Sequence, residues 1–77
     1  MNTKVFYWDV VRDDDAHYVL NIYRRLFGLW IVNHTSVHKK PTEVSEVFEL
    51  YRLREKEKAD AENRDPMKIE FWHRRTA

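Results

Sequence analysis

Glycine occurs once in this chain of 77 residues, at position 28. It is the residue that enters left-handed backbone conformations without steric cost, so a chain with one has few ways to build long irregular loops. Walker-type phosphate loops and dinucleotide fingerprints need several glycines in a fixed pattern and are excluded. Cysteine does not occur at all, which removes disulfides, thiolate-held zinc and cysteine nucleophiles. What is left to hold the fold is apolar burial. Hydrophobic residues make up 43% and aromatic residues 14% of the chain, enough to argue against disorder. One domain over residues 1–77 is expected at this length. Good packing is essential to it, because small domains bury a smaller share of their surface.

Residues 3–11 alternate as a strand does, with Phe6, Trp8 and Val10 on one face and Val5, Tyr7, Asp9 and Val11 on the other. Both rows are largely apolar, which predicts an interior place in a sheet. Residues 14–27 admit two readings. Tyr18, Leu20 and Ile22 alternate, whereas Ala16, Val19, Leu20, Tyr23, Leu26 and Phe27 follow helical spacing. Asp14 and Asp15 at the start and Arg24 and Arg25 near the end suit a helix dipole, and Gly28 suits a helix C-terminus. The helical pattern uses more positions and predicts a helix over 14–27. Residues 29–37 are β-branched early and predict a strand.

Thr42 as N-cap, with Glu43 and Glu46 in the first turn, predicts a second helix over 43–63. Its first half, with Val44, Val47, Phe48 and Tyr51, would pack on the sheet. Its charged end, 54–63, would project into solvent. A turn and a last strand over 67–73 complete an α+β domain of order β-α-β-α-β, with three strands and two helices. Two helices of these lengths predict a helix content of roughly 40–45%, above the usual globular share.

Little in the chain resembles a catalytic site. His34 and His38 have the i,i+4 spacing of a helical metal pair, but they fall in a strand and loop. Thr35 stands where a zinc protease carries glutamate. Asp9 with Asp13, Asp14 and Asp15 could hold Mg²⁺, yet acids at a helix start account for most of that run. Ser36 and Ser45 lack the glycines of a nucleophile elbow. No catalytic residue, metal or cofactor is therefore expected, and an enzyme, such as a small nuclease or a metal-dependent activity, is the lesser reading. The ending His73-Arg74-Arg75 resembles the basic C-terminal strands of RelE-type toxins, which would imply ribonuclease activity. The strand-first order departs from that family.

Surfaces carry more signal. The formal charge of +1 selects no partner class, and the basic residues of the second helix alternate with Glu55, Glu57, Asp60 and Glu62, as a solvated face does. In residues 67–75, Met67, Ile69 and Phe71 form one row, and Lys68, Glu70, Trp72 and Arg74 the other. A large ring on the polar row suits a partner anchor. The expected contact residues are Trp72, Arg74, Arg75, Lys68, Tyr51 and Arg52. The function expected is a non-catalytic protein–protein interaction module, binding another protein or itself. Stand-alone chains of this size are often accessory proteins of phages or mobile elements that inhibit a host complex by occluding it, as anti-CRISPR inhibitors do. The alternative is a small nucleic-acid-binding protein using Lys39, Lys40, Arg24, Arg25, Arg74 and Arg75 with exposed aromatics. A cytoplasmic location is expected from the missing cysteines. No apolar run approaches the length of a membrane span, and the N-terminal run, broken by Asp9, does not fit a signal peptide.

Overall fold

The structure, a computed structural model, describes residues 2–62 and 67–75. The chain forms β1 (Asn2–Arg12), β2 (Tyr18–Leu26), β3 (Leu29–His38), α1 (Pro41–Glu62) and β4 (Met67–His73). The four strands make one mixed sheet in the order β3-β2-β1-β4. β1, β2 and β3 are an antiparallel meander, and β4 pairs parallel with β1. A parallel partner cannot follow a tight turn, and α1 supplies the crossover from the β3 edge to the β4 edge.

This overturns the three-stranded, two-helix expectation. Among the described residues there is one helix and a fourth strand, in the order β-β-β-α-β. The error is confined to residues 14–27. A helix there would bury Ala16, Leu26 and Phe27, yet all three are exposed, Phe27 completely (103%). The fully buried residues are Leu20 and Ile22, two apart as on a strand. Asp13 to Asp15 serve a turn. The Asp13 carboxylate accepts the amides of Asp15 and His17 at 3.0 and 2.8 Å. Gly28 (φ 79°) ends no helix. It shares a two-residue hairpin loop with Phe27 (φ 52°), closed by the Leu26–Leu29 pair. Two successive positive φ angles give a type I′ connection, whose twist matches the strands it joins.

The strands expected at 3–11, 29–37 and 67–73 are present with small shifts of their ends, and β1 is interior as its two apolar rows implied. The helix starts at Pro41, which suits a first helical position because it needs no amide partner there. Thr42 therefore lies inside the first turn and is not the cap. Glu43 reaches back to accept the Lys39 amide at 3.2 Å. The expected turn at 63–66 lies outside the described residues.

α1 covers one face of the sheet. Phe6, Leu20 and Ile22 are fully buried beneath it, flanked by Trp8, Val44, Val47, Phe48, Tyr51, Ile69 and Phe71. Phe6 is the hub, stacked on Phe71 at 5.1 Å and meeting Tyr51 edge-on at 5.9 Å. The charged end of α1 is not wholly in solvent. Ala59 is buried, and Glu55 pairs with Lys4 at 3.6 Å, while Arg54, Lys56, Glu57 and Lys58 are exposed. No helix among the described residues is long and apolar enough to cross a membrane. The Cα extents are 45 × 27 × 14 Å. The radius of gyration of 13.7 Å exceeds the ~11–12 Å of a compact chain this long. The described residues form a flat two-layer plate, and among them none makes a layer over the other face of the sheet.

Candidate functional site: the uncovered sheet face

The register places rows across the uncovered face. Val11, Val19 and Val37 form one; Asp9, Asn21 and Thr35 the next; Trp72, Tyr7, Tyr23 and Val32 the third; beyond them Glu70 pairs with Val5 and Arg25 with Trp30. Tyr7 joins the two tryptophans, meeting Trp30 at 4.8 Å and Trp72 at 5.9 Å, each near perpendicular. Such edge-to-face pairs are worth about 0.5–1.5 kcal/mol beyond their buried area. Arg74 lies 4.6 Å from the centroids of both Tyr23 and Trp30, and Arg25 lies 5.1 Å from Trp30. Three large apolar side chains here are about half exposed or more: Trp72 at 52%, Val32 at 55% and Val37 at 58%.

Asp9 anchors the arrangement. It is 3% exposed although no helix covers it. Asn21 donates to its Oδ1 at 2.9 Å, Tyr23 donates to its Oδ2 at 3.0 Å, and Arg74 stands 3.9 Å from Oδ2. Thr35 donates to Asn21 at 3.0 Å and extends the network to β3. A buried carboxylate needs this many partners, because an unpaired one would be expensive. Burial pushes the Tyr23 phenol up from its ordinary range, and the hydrogen bond and charge of Asp9 add to that, with Arg74 opposing. The phenol therefore stays a donor. Arg74 is held by the same carboxylate, and its backbone amide donates to the Trp8 carbonyl at 2.7 Å. The guanidinium is thus fixed over two rings.

The residues singled out from sequence divide between the two faces. Lys68, Trp72 and Arg74 lie on the uncovered side. Lys68 pairs with Glu70 at 3.2 Å, and Trp72 donates to Glu70 at 3.2 Å. Tyr51 and Arg52 are on the helix, across the sheet. Tyr51 is half-buried in the core, its phenol raised chiefly by burial, and Arg52 is exposed beside Glu49 at 3.8 Å. Arg75 is exposed at the end of the described chain.

The basic pairs do not all gather on one face. Arg25 and Arg74 meet at Trp30, and Arg24, 5.8 Å from Phe6 on the helix side, shares with Arg25 the lining of one cleft at that end of the sheet. The cleft is polar, about 570 Å³ in volume, and in it Lys4 and Lys58 face Glu55 and Glu62. Lys39 and Lys40 follow the far end of β3, about 30 Å from the Arg25 end at ~3.3 Å per residue. Tyr23 and Trp30 were not foreseen as part of a site, Arg25 was expected only as a nucleic-acid contact, and Asp9 only with the acidic run. Pairing 18–26 with 29–38 as a hairpin would have put Tyr23, Arg25 and Trp30 on one side.

His34 and His38 lie on the helix side of the sheet, against Tyr51 and Glu43. His34 and His38 flank Ser36 on β3, with ring Nε2 atoms 2.9 and 2.6 Å from its Oγ, and Glu43 is 3.9 Å from the His38 Nδ1. Burial, then the charge of His38, lowers the His34 pKa below 6.5. Asp13, Asp15 and His17 are the group among the described residues whose ligand atoms lie close enough to share an ion. The Asp13 carboxylate is already engaged by two backbone amides. Asp9, once considered with that acidic run, is in the buried network instead.

Comparison with protein-family models, with curated proteins and with solved structures finds no match to this chain.

Proposed function

We propose that this protein is a non-catalytic protein-binding module whose contact surface is the uncovered sheet face, centred on Trp30, Trp72 and Arg74. The observation that carries this reading is a whole sheet face without a covering layer, on which tryptophans and valines are exposed around a fixed arginine. Exposed apolar patches rimmed by polar groups mark interaction sites, and Trp, Tyr and Arg are the residues that dominate binding energy at interfaces. Arg74 is held by Asp9 before any partner arrives, so less side-chain entropy is lost on binding. A module of this kind acts by occupancy, which suits a stoichiometric blocker of a larger complex, the role expected of a phage or mobile-element accessory protein. The test is affinity capture with tagged wild-type protein beside Trp72→Ala and Arg74→Ala. A partner held by the wild type and lost from both folded variants supports the reading; equal capture by all three refutes it.

A second reading is a single-stranded nucleic-acid binder. The convergence of Arg25 and Arg74 on Trp30 favours it, since stacking rings beside cations bind single strands. Against it, both arginines already occupy Trp30, and Lys39 and Lys40 lie at the far end of the sheet. Binding to single-stranded DNA or RNA that weakens steeply with salt would support it. Absence of binding at low salt removes it.

A further inference from the structure

β3 and β4 are the two edges of the sheet, and they are built differently. β4 has seven residues and includes Lys68 and Glu70. β3 has ten, LWIVNHTSVH, with no acid, lysine, arginine, glycine or proline among them. Its Leu29, Ile31, Val32 and Val37 are between 40% and 68% exposed. Natural proteins protect a free edge with lysine, proline, short length or a covering element. β3 has one such device, the extra residue Asn33 between the Ile22–His34 and Tyr23–Val32 pairs. We propose that the free edge of β3 pairs antiparallel with the same edge of a second copy, making one eight-stranded sheet.

The strand is self-complementary in its full-overlap register. Trp30, Val32, Thr35 and Val37 all lie on the uncovered face, as their partners Arg25, Tyr23, Asn21 and Val19 show. A two-fold axis normal to the sheet sets Trp30 against Val37 of the other copy and Val32 against Thr35. The axis then falls between Asn33 and His34, so each Asn33 faces the His34 of the other copy. Every open-face residue of β3 meets another uncharged open-face residue, as an isologous contact requires. An edge without charge cannot select a charged foreign strand, and chains of net charge +1 repel one another little. The pairing would use the backbone groups that the edge leaves open. It would also join two uncovered faces into one surface.

The experiment is the solution mass of the full chain across the micromolar range, by sedimentation equilibrium. The wild type should give twice the 9.5 kDa chain mass. Val32→Lys/Thr35→Lys sets lysine against lysine in this register and should give the single mass with an unchanged circular dichroism spectrum. Val32→Glu/Thr35→Glu should behave the same, and an equimolar mixture of the two variants should regain the doubled mass. A wild type that stays monomeric, forms open-ended larger assemblies, or remains dimeric in both variants overturns the proposal, as does a mixture of folded variants that stays monomeric. Should the variants fail to fold, amide exchange decides. β3 amides of the wild type should exchange more slowly as concentration rises, and exchange independent of concentration overturns the pairing. Partner capture through Trp72 is a separate measurement, so either idea can fail alone.

Discussion

The carboxylate of Asp9 is in effect the least replaceable polar group in the molecule. In the sequence it interrupts an apolar strand; in the fold it is the acceptor that Asn21, Tyr23 and Arg74 share. Asp9→Ala would strand the buried Tyr23 hydroxyl and the Asn21 amide. It should lower unfolding free energy by about 1–3 kcal/mol, the usual cost of a buried unsatisfied polar group. A urea midpoint unchanged in the variant would contradict this. His34 gives a pH dependence. Its pKa is lowered from 6.5 by burial, so the unfolded chain binds the proton more readily than the folded one. Stability from the neutral ring is fully present above pH 6.5 and is lost as pH falls through 6.5 towards the folded value. Thermal melts from neutral to mildly acid pH should show a smaller loss for His34→Gln than for wild type. The two histidines and Ser36 were visible in the sequence as isolated residues. That one hydroxyl serves both rings follows from their being two apart on one strand, whose same-side spacing the sequence alone did not reveal.

At the level of elements, the hairpin β2–β3 is where local pattern and fold part company. Helical and alternating patterns coexist in residues 16–27, and periodicity alone favoured the wrong one. What decides is tertiary: Leu20 and Ile22 can share the core with Phe6 only from a strand. β1, α1 and β4 were legible because their patterns were unmixed, with alternation at both ends of the chain and a long apolar stripe after Pro41, whereas 29–37 also allowed the helix to run on to about Asn33. The turn itself is strained. Phe27 holds φ at 52° with its ring fully exposed, and a left-handed conformation costs an ordinary residue roughly 1–2 kcal/mol. Asparagine tolerates that region, and Asn-Gly is the preferred type I′ pair. Phe27→Asn should therefore raise the denaturation midpoint, by about 0.5–1 kcal/mol in free energy, with the slope unchanged. A lower midpoint would show that the exposed ring makes a contact worth more than the strain.

For the whole molecule, one helix of 22 residues in a chain of 77 should give a helix content well below that of a two-helix chain by far-UV circular dichroism. A helix content of roughly 40–45%, as two helices require, would contradict the fold described here. The outward row Lys68, Glu70, Trp72 and Arg74 was readable from alternation in the last strand. Its neighbours were not, because Tyr7 joins it through the parallel β1–β4 pairing, and Tyr23 and Trp30 through the β1–β2 and hairpin registers. The plate-like shape follows from a single helix covering one of two sheet faces. The central claim is that the bare face binds a protein partner and does not merely complete the core. Trp72→Ala tests it most directly, with thermal unfolding and quantitative affinity capture measured on the same preparation. The variant should still fold cooperatively, because about half of Trp72 is already exposed, with a melting temperature modestly lowered by the lost Tyr7 contact. It should also lose the captured partner. A variant that unfolds, or one that captures the same partner at wild-type yield, would contradict it.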